Sequence, residues 1–168
     1  MHPLLEGLDH LPKRVIIEDL QARDYATSPH YSSLHTIRAY LEREIPTFPY
    51  RMCAPTSRVI REVLGWPEQG GFYVPLLRMG AKLINAAHIW NQTPEGDWAD
   101  LTADQEDKGI PPEVIMPKGA WVLRTWGPLT GFAAQRPIGD LSKEASIKAG
   151  THIDLERIIK DLRERLKV

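Results

Sequence analysis

Apolar positions along this chain alternate between two periods. Over Ser33–Ile45, Leu34, Ile37, Leu41 and Ile45 share one helical face, and Pro46 closes the segment. Val59, Ile60, Val63 and Leu64 repeat the helical spacing, with Arg58, Arg61 and Glu62 on the wet face. Gly65, followed by Trp66-Pro67, is a C-terminal stop. Pro55 is tolerated only in a first turn, so this helix is expected to begin near Cys53 or Ala54. Thr151–Leu166 carries a third stripe, made of Leu155, Ile158, Ile159, Leu162 and Leu166. Strand patterns appear at Gly70–Met79, where Pro75 signals an edge or a bulge, at Ile84–Gln92, at Asp97–Thr102 and at Trp121–Trp126. Arg14–Asp19 reads as a strand or a short helix. Residues 103–118 read as loop, with Pro111-Pro112 and Pro117, and Gly127–Asp140 gives no assignment. The sum is an α+β chain in which the helix after Cys53 packs on an antiparallel sheet.

Two of these strands form a hairpin with chemistry on it. Side chains alternate along a strand, so Ile84, Ala86, His88 and Trp90 share a face, as do Trp98, Asp100 and Thr102. Between them Gln92-Thr-Pro-Glu-Gly96 supplies a turn through Pro94 and Gly96. If Asn91 pairs with Asp97, Trp90 opposes Trp98 and His88 opposes Asp100. Opposed residues have Cβ atoms about 4.5–5.5 Å apart, close enough for a carboxylate to accept an imidazole N–H. Asp104 and Gln105 are secondary candidates for orienting the histidine, Asp104 ranking below Asp100 because it lies beyond the strand.

The chain has one cysteine, Cys53, so no intrachain disulfide can form. A helix start places it at the positive end of the helix dipole, where a thiolate is stabilised, with Arg51 two residues away. A lone cysteine is also a common small buried hydrophobe, and a strand histidine is commonly a structural one. What sets these residues apart is the combination of a thiol, a histidine and a carboxylate, the set used by cysteine nucleophiles.

A cysteine-led helix, then His88-Ile-Trp90, then Gly96-Asp-Trp98-Ala-Asp100 resembles the transglutaminase-like branch of the papain-like superfamily. The resemblance spans about residues 48–105. Many members of that family carry glycine two residues before the cysteine, where this chain has Arg51, and papain-like enzymes often carry an aromatic after it, where this chain has Ala54-Pro55. The resemblance implies a papain-like core and acyl transfer on a carboxamide or peptide bond. Cys53 would be the nucleophile, His88 the proton carrier and Asp100 its orienting partner, with Trp90 and Trp98 walling a substrate site or packing the core. The substrate would be a peptide, a protein or a small amide, and the acceptor water or an amine. No glutamine precedes Cys53 at the papain-type spacing, so the oxyanion hole is unassigned, with the backbone N–H of Cys53 as one candidate donor.

Bulk properties narrow the classes. At 168 residues, one domain is expected, with its core over about 33–135 and a C-terminal helix over 151–167. The 21 basic and 22 acidic side chains leave no global field toward nucleic acid or a membrane surface. No apolar run is long enough to cross a bilayer, and no charged-then-apolar leader opens the chain, so a cytoplasmic location is expected. The histidines (His2, His10, His30, His35, His88 and His152) form no recognised metal motif, and His30 and His35 read as surface or cap residues. No metal or other cofactor is called for. The last helix is expected to dock on the body of a monomer, a homodimer contact being the lesser alternative. Two further readings stay open: a non-catalytic member of the same fold that binds a peptide or protein in the cleft, and an unrelated α+β module with Cys53 in its core.

Overall fold

A computed structural model describes residues 28–73, 87–105, 114–116, 123–125 and 136–168. The expectations for Arg14–Asp19, for Pro75 and the strand beyond Tyr73, for Ile84 and Ala86, and for Pro111-Pro112 lie outside these residues. Among the described residues the helices are α1 (Tyr31–Glu44), α2 (Cys53–Leu64), α3 (Ile138–Ala149) and α4 (Leu155–Leu166). The strands are β1 (Glu68–Tyr73), β2 (Ala87–Gln92), β3 (Trp98–Asp100), β4 (Val114–Met116) and β5 (Leu123–Thr125). They form one sheet in the order β4-β3-β2-β1-β5, every neighbouring pair antiparallel. The architecture is α+β.

The apolar stripes account for the packing. Leu34, Ile37, Leu41 and Ile45 are buried on α1 and its C-terminal end, as are Val59, Ile60 and Val63 on α2. Leu155, Ile158, Ile159 and Leu162 of α4 join the same cluster, so the α4 stripe is consumed within the chain. The sheet contributes Ala99, Leu101 and Ile115. The core therefore runs through the C-terminal helices rather than ending ahead of them. Asn91 lies on this helix-facing side of the sheet, where its Nδ2 donates to the carbonyls of Ser57 (3.0 Å) and Trp66 (3.2 Å). Those bonds tie β2 to α2 and to the segment that follows it.

Helix α2 begins at Cys53 and ends where Gly65 takes a left-handed φ of 74° while its N–H donates to the Arg61 carbonyl. Glycine adopts that φ without a Cβ clash.

Three expectations are corrected. The hairpin pairs Asn91 with Ala99 and Gln92 with Trp98, two residues away from the Asn91–Asp97 register. The loop is shorter than expected. The Thr93 N–H donates to the Asp97 carbonyl (2.8 Å) and the Gly96 N–H to the Thr93 carbonyl (2.9 Å), leaving Pro94-Glu95-Gly96 as the tip with Gly96 at φ 89°. A type I turn closed by a left-handed glycine is a standard three-residue hairpin loop. Second, 103–118 is not all loop: Ala103–Gln105 is a 3₁₀ turn and β4 pairs with β3. Third, the last helix starts at Leu155 rather than Thr151, and α3, unassigned in the sequence, precedes it.

Candidate active site

β2, β3 and the N-terminus of α2 bring the chemistry together. A register shift of two residues keeps strand faces unchanged. His88, Trp90, Trp98 and Asp100 therefore still share a face, and His88 meets Asp100 diagonally rather than directly. His88 Nε2 lies 2.5 Å from Asp100 Oδ2, and both side chains are buried, at 3% and 1% exposure. The other oxygen of Asp100, Oδ1, accepts from the Thr102 N–H (2.8 Å) and from the Thr102 hydroxyl (3.0 Å). Both carboxylate oxygens are thus occupied, and the Asp100-Leu-Thr102 string holds the acid in place.

Cys53, the first residue of α2, is partly exposed and lies near enough to the His88 ring to raise its proton affinity. Nε2 is committed to Asp100, and Nδ1 meets the side chain of Gln105. Burial disfavours an imidazolium here, but the charge and hydrogen bond of Asp100, together with Cys53, outweigh it and hold His88 well above its ordinary pKa.

Trp90 and Trp98, expected to wall a substrate site, are themselves buried at 1% and 5% exposure. Their ring centroids are 5.0 Å apart, and Trp90 stacks beside His88 at 6.1 Å. Trp90 thus lies between His88 and Trp98, and neither tryptophan presents an open surface. Trp90 Nε1 has no hydrogen-bond partner among the described residues.

The backbone just before Cys53 is held in a turn, with the Met52 N–H donating to the Pro49 carbonyl. Arg51 adopts φ 57°, in the left-handed region that favours glycine. The backbone here takes the glycine-type conformation with an arginine in it. The Arg51 N–H donates to Gln105 Oε1 (2.9 Å), and its carbonyl accepts from Lys148 Nζ (3.3 Å).

The secondary candidates separate cleanly. Asp104 faces Arg38, which donates to Asp104 Oδ1 (2.7 Å) and Oδ2 (2.8 Å) and to the Leu101 carbonyl (2.7 Å). Gln105 reaches the site, with Nε2 3.1 Å from His88 Nδ1. Arg38 went unnoticed in the sequence, although it lies four residues after Leu34 and three before Leu41, on the apolar stripe of α1. A cation on such a stripe is a sign of a buried partner.

No family model, curated protein or solved structure matches this chain. Among the described residues no helix is long and apolar enough to cross a membrane, and no group of three or more histidine, cysteine or acidic side chains is placed to hold a metal ion. His30, at the N-terminus of α1, instead sits 2.8 Å from Glu95 at the hairpin tip and edge-on to Trp66.

Proposed function

We propose that this chain is a transglutaminase-like, papain-like enzyme that performs cysteine-based acyl transfer on a carboxamide or peptide bond. The observation that carries the reading is a buried imidazole bonded to a doubly anchored carboxylate, with the thiol of a helix start beside the same ring. In the first step Cys53 Sγ attacks the carbonyl carbon and its proton passes to His88 Nδ1. The C–N bond then breaks as His88 returns that proton to the leaving amine, and a thioester remains on Cys53. Water or a second amine attacks the thioester and gives its proton to His88, and as the C–S bond breaks His88 passes that proton to Sγ, regenerating the thiol. Asp100 keeps its bond to Nε2–H throughout, fixing the ring and offsetting its transient charge. Hydrolysis, deamidation and transamidation share these steps and differ only in donor and acceptor. The substrates are peptides, proteins or small amides. A cytoplasmic setting suits the reading, because there an accessible thiol stays reduced.

The deciding experiment is the pH dependence of Cys53 alkylation by iodoacetamide in the wild type and in His88→Ala. An activated pair labels fast, with an inflection well below the free-thiol value of about 8.5, and loses both properties in the variant. Slow labelling that ignores His88 overturns the enzyme and leaves a binding module.

A further inference from the structure

Gln105 occupies a place that the acyl-transfer reading does not use. Its side-chain amide links the His88 ring to the turn that leads into Cys53, with Oε1 on the Arg51 N–H at 2.9 Å and Nε2 on His88 Nδ1 at 3.1 Å. A backbone N–H can only donate, so the Arg51 contact requires the amide oxygen at that end. The amide nitrogen therefore faces the ring, and it can only donate. Gln105 sits on the 3₁₀ turn Ala103–Gln105, and that turn is anchored next door by the Arg38–Asp104 pair.

We propose, resting on the acyl-transfer reading above, that Gln105 is a positioning residue that sets the protonation state of His88. A donor at Nδ1 requires a lone pair there, so it favours the neutral ring with its proton on Nε2, against the pull of Asp100 and Cys53 toward the imidazolium. The neutral fraction that it preserves is the form that takes the Cys53 proton. The imidazolium formed when it does so carries a proton at Nδ1, pointing at another donor, so Gln105 has to release the ring as the thiolate forms. Gln105 thus opposes a standing thiolate–imidazolium pair and favours a thiol that is deprotonated only on attack. It also couples the ring to the turn leading into Cys53 through Arg51. Among the described residues, the groups facing His88 include Asp100 from β3, Cys53 from α2, Gln105 from the 3₁₀ turn and Trp90 from its own strand. Lys148, from α3, is held on the Arg51 carbonyl and Glu144.

The test compares the wild type with Gln105→Ala, the near-isosteric Gln105→Glu, and His88→Ala. The readouts are the pH profile of Cys53 alkylation by iodoacetamide and the NMR titration of the His88 ring. Removing the donor is expected to move the alkylation inflection of Gln105→Ala down by about one pH unit, a roughly tenfold gain in thiolate at a given lower pH. The His88 titration moves up in Gln105→Ala and further up in Gln105→Glu, whose carboxylate accepts from Nδ1–H. A residue that only shaped the turn would lower stability in these variants and leave both titrations in place. Unchanged or oppositely shifted titrations in both variants, with labelling still abolished in His88→Ala, overturn the role of Gln105 and leave the triad standing. Labelling indifferent to His88 overturns the triad itself. If Gln105→Ala fails to fold, the His88 titration of Gln105→Glu decides alone.

Discussion

His88 is where side-chain chemistry and stability meet. Burial works against its charge, yet Asp100 and Cys53 raise its pKa well above the ordinary value of about 6.5. A folded-state pKa raised in this way means that the folded protein holds the proton more tightly than the unfolded chain does. The resulting stabilisation is complete below the unfolded value of about 6.5 and is lost as pH rises through the higher folded value. Urea unfolding of the wild type and of His88→Gln at pH 6 and pH 9 should show the wild-type advantage shrinking at the higher pH. An advantage that grows with pH would contradict the raised value. The sequence named His88, Asp100 and Cys53 because residue type and alternation are local properties. It did not assign the partners of Asp104 and Gln105, because these neighbours sit in one short turn and face different elements, Arg38 on α1 and the His88 site.

At the scale of elements, the hairpin shows how much alternation can determine. A two-residue shift in register leaves every face intact, so the pattern identified which side chains cluster but not which pair directly. The turn chemistry decided the register, through Gly96 and the Thr93–Asp97 bond. Helix α3 escaped detection because its inward side is made of Leu141 and small alanines such as Ala145, with Gly139 in its first turn. The start of α4 is set by Asp154, whose Oδ1 accepts from the Arg157 N–H (3.0 Å). Ile153 and Ile158 occupy the positions flanking that cap that form a hydrophobic staple, and both are buried in the core. Serines of α3 complete the junction: Ser146 Oγ accepts from the Ile153 N–H (2.7 Å) and Ser142 Oγ from the Leu155 N–H (2.9 Å). Asp154→Ala is expected to cost about 1 kcal/mol and to lower the melting temperature by roughly 2–4 °C, with Cys53 alkylation unchanged. A thermal scan with no shift would show that the serines hold this junction without the cap.

The molecule as a whole is tied together by buried charge as well as apolar surface. Arg38 is 5% exposed, stacks on Phe48 at 4.9 Å, and joins α1 to the segment after β3 through Asp104 and the Leu101 carbonyl. Its desolvation lowers its proton affinity, but the hydrogen bonds and charges of Asp104 and Glu42 more than restore it. Arg38→Met removes the cation and strands a carboxylate and a carbonyl. It is expected to cost roughly 3 kcal/mol, the low end for a broken buried pair because Asp104 keeps some solvent contact. The double variant Arg38→Met/Asp104→Leu should recover part of that loss, since it leaves no buried unpaired carboxylate and the released Glu42 is half-exposed. Equal destabilisation in the single and double variants, measured by urea unfolding, would show that the Leu101 carbonyl rather than the ion pair carries the cost. Because the same pair seats Gln105, Arg38→Met should also shift the alkylation profile in the direction of Gln105→Ala.

The sequence by itself determined the α+β class, the limits of α2, the buried faces of α1 and α4, and the shared face of His88 and Asp100. Each of these follows from a periodicity or a stop signal within a dozen or so residues. Only the tertiary structure decided the strand order, the approach of Cys53 to His88, and the placing of Arg38 and Gln105. Those depend on which segments meet across long stretches of chain. Donors and acceptors there are matched by packing, and no local spacing of residues encodes the match.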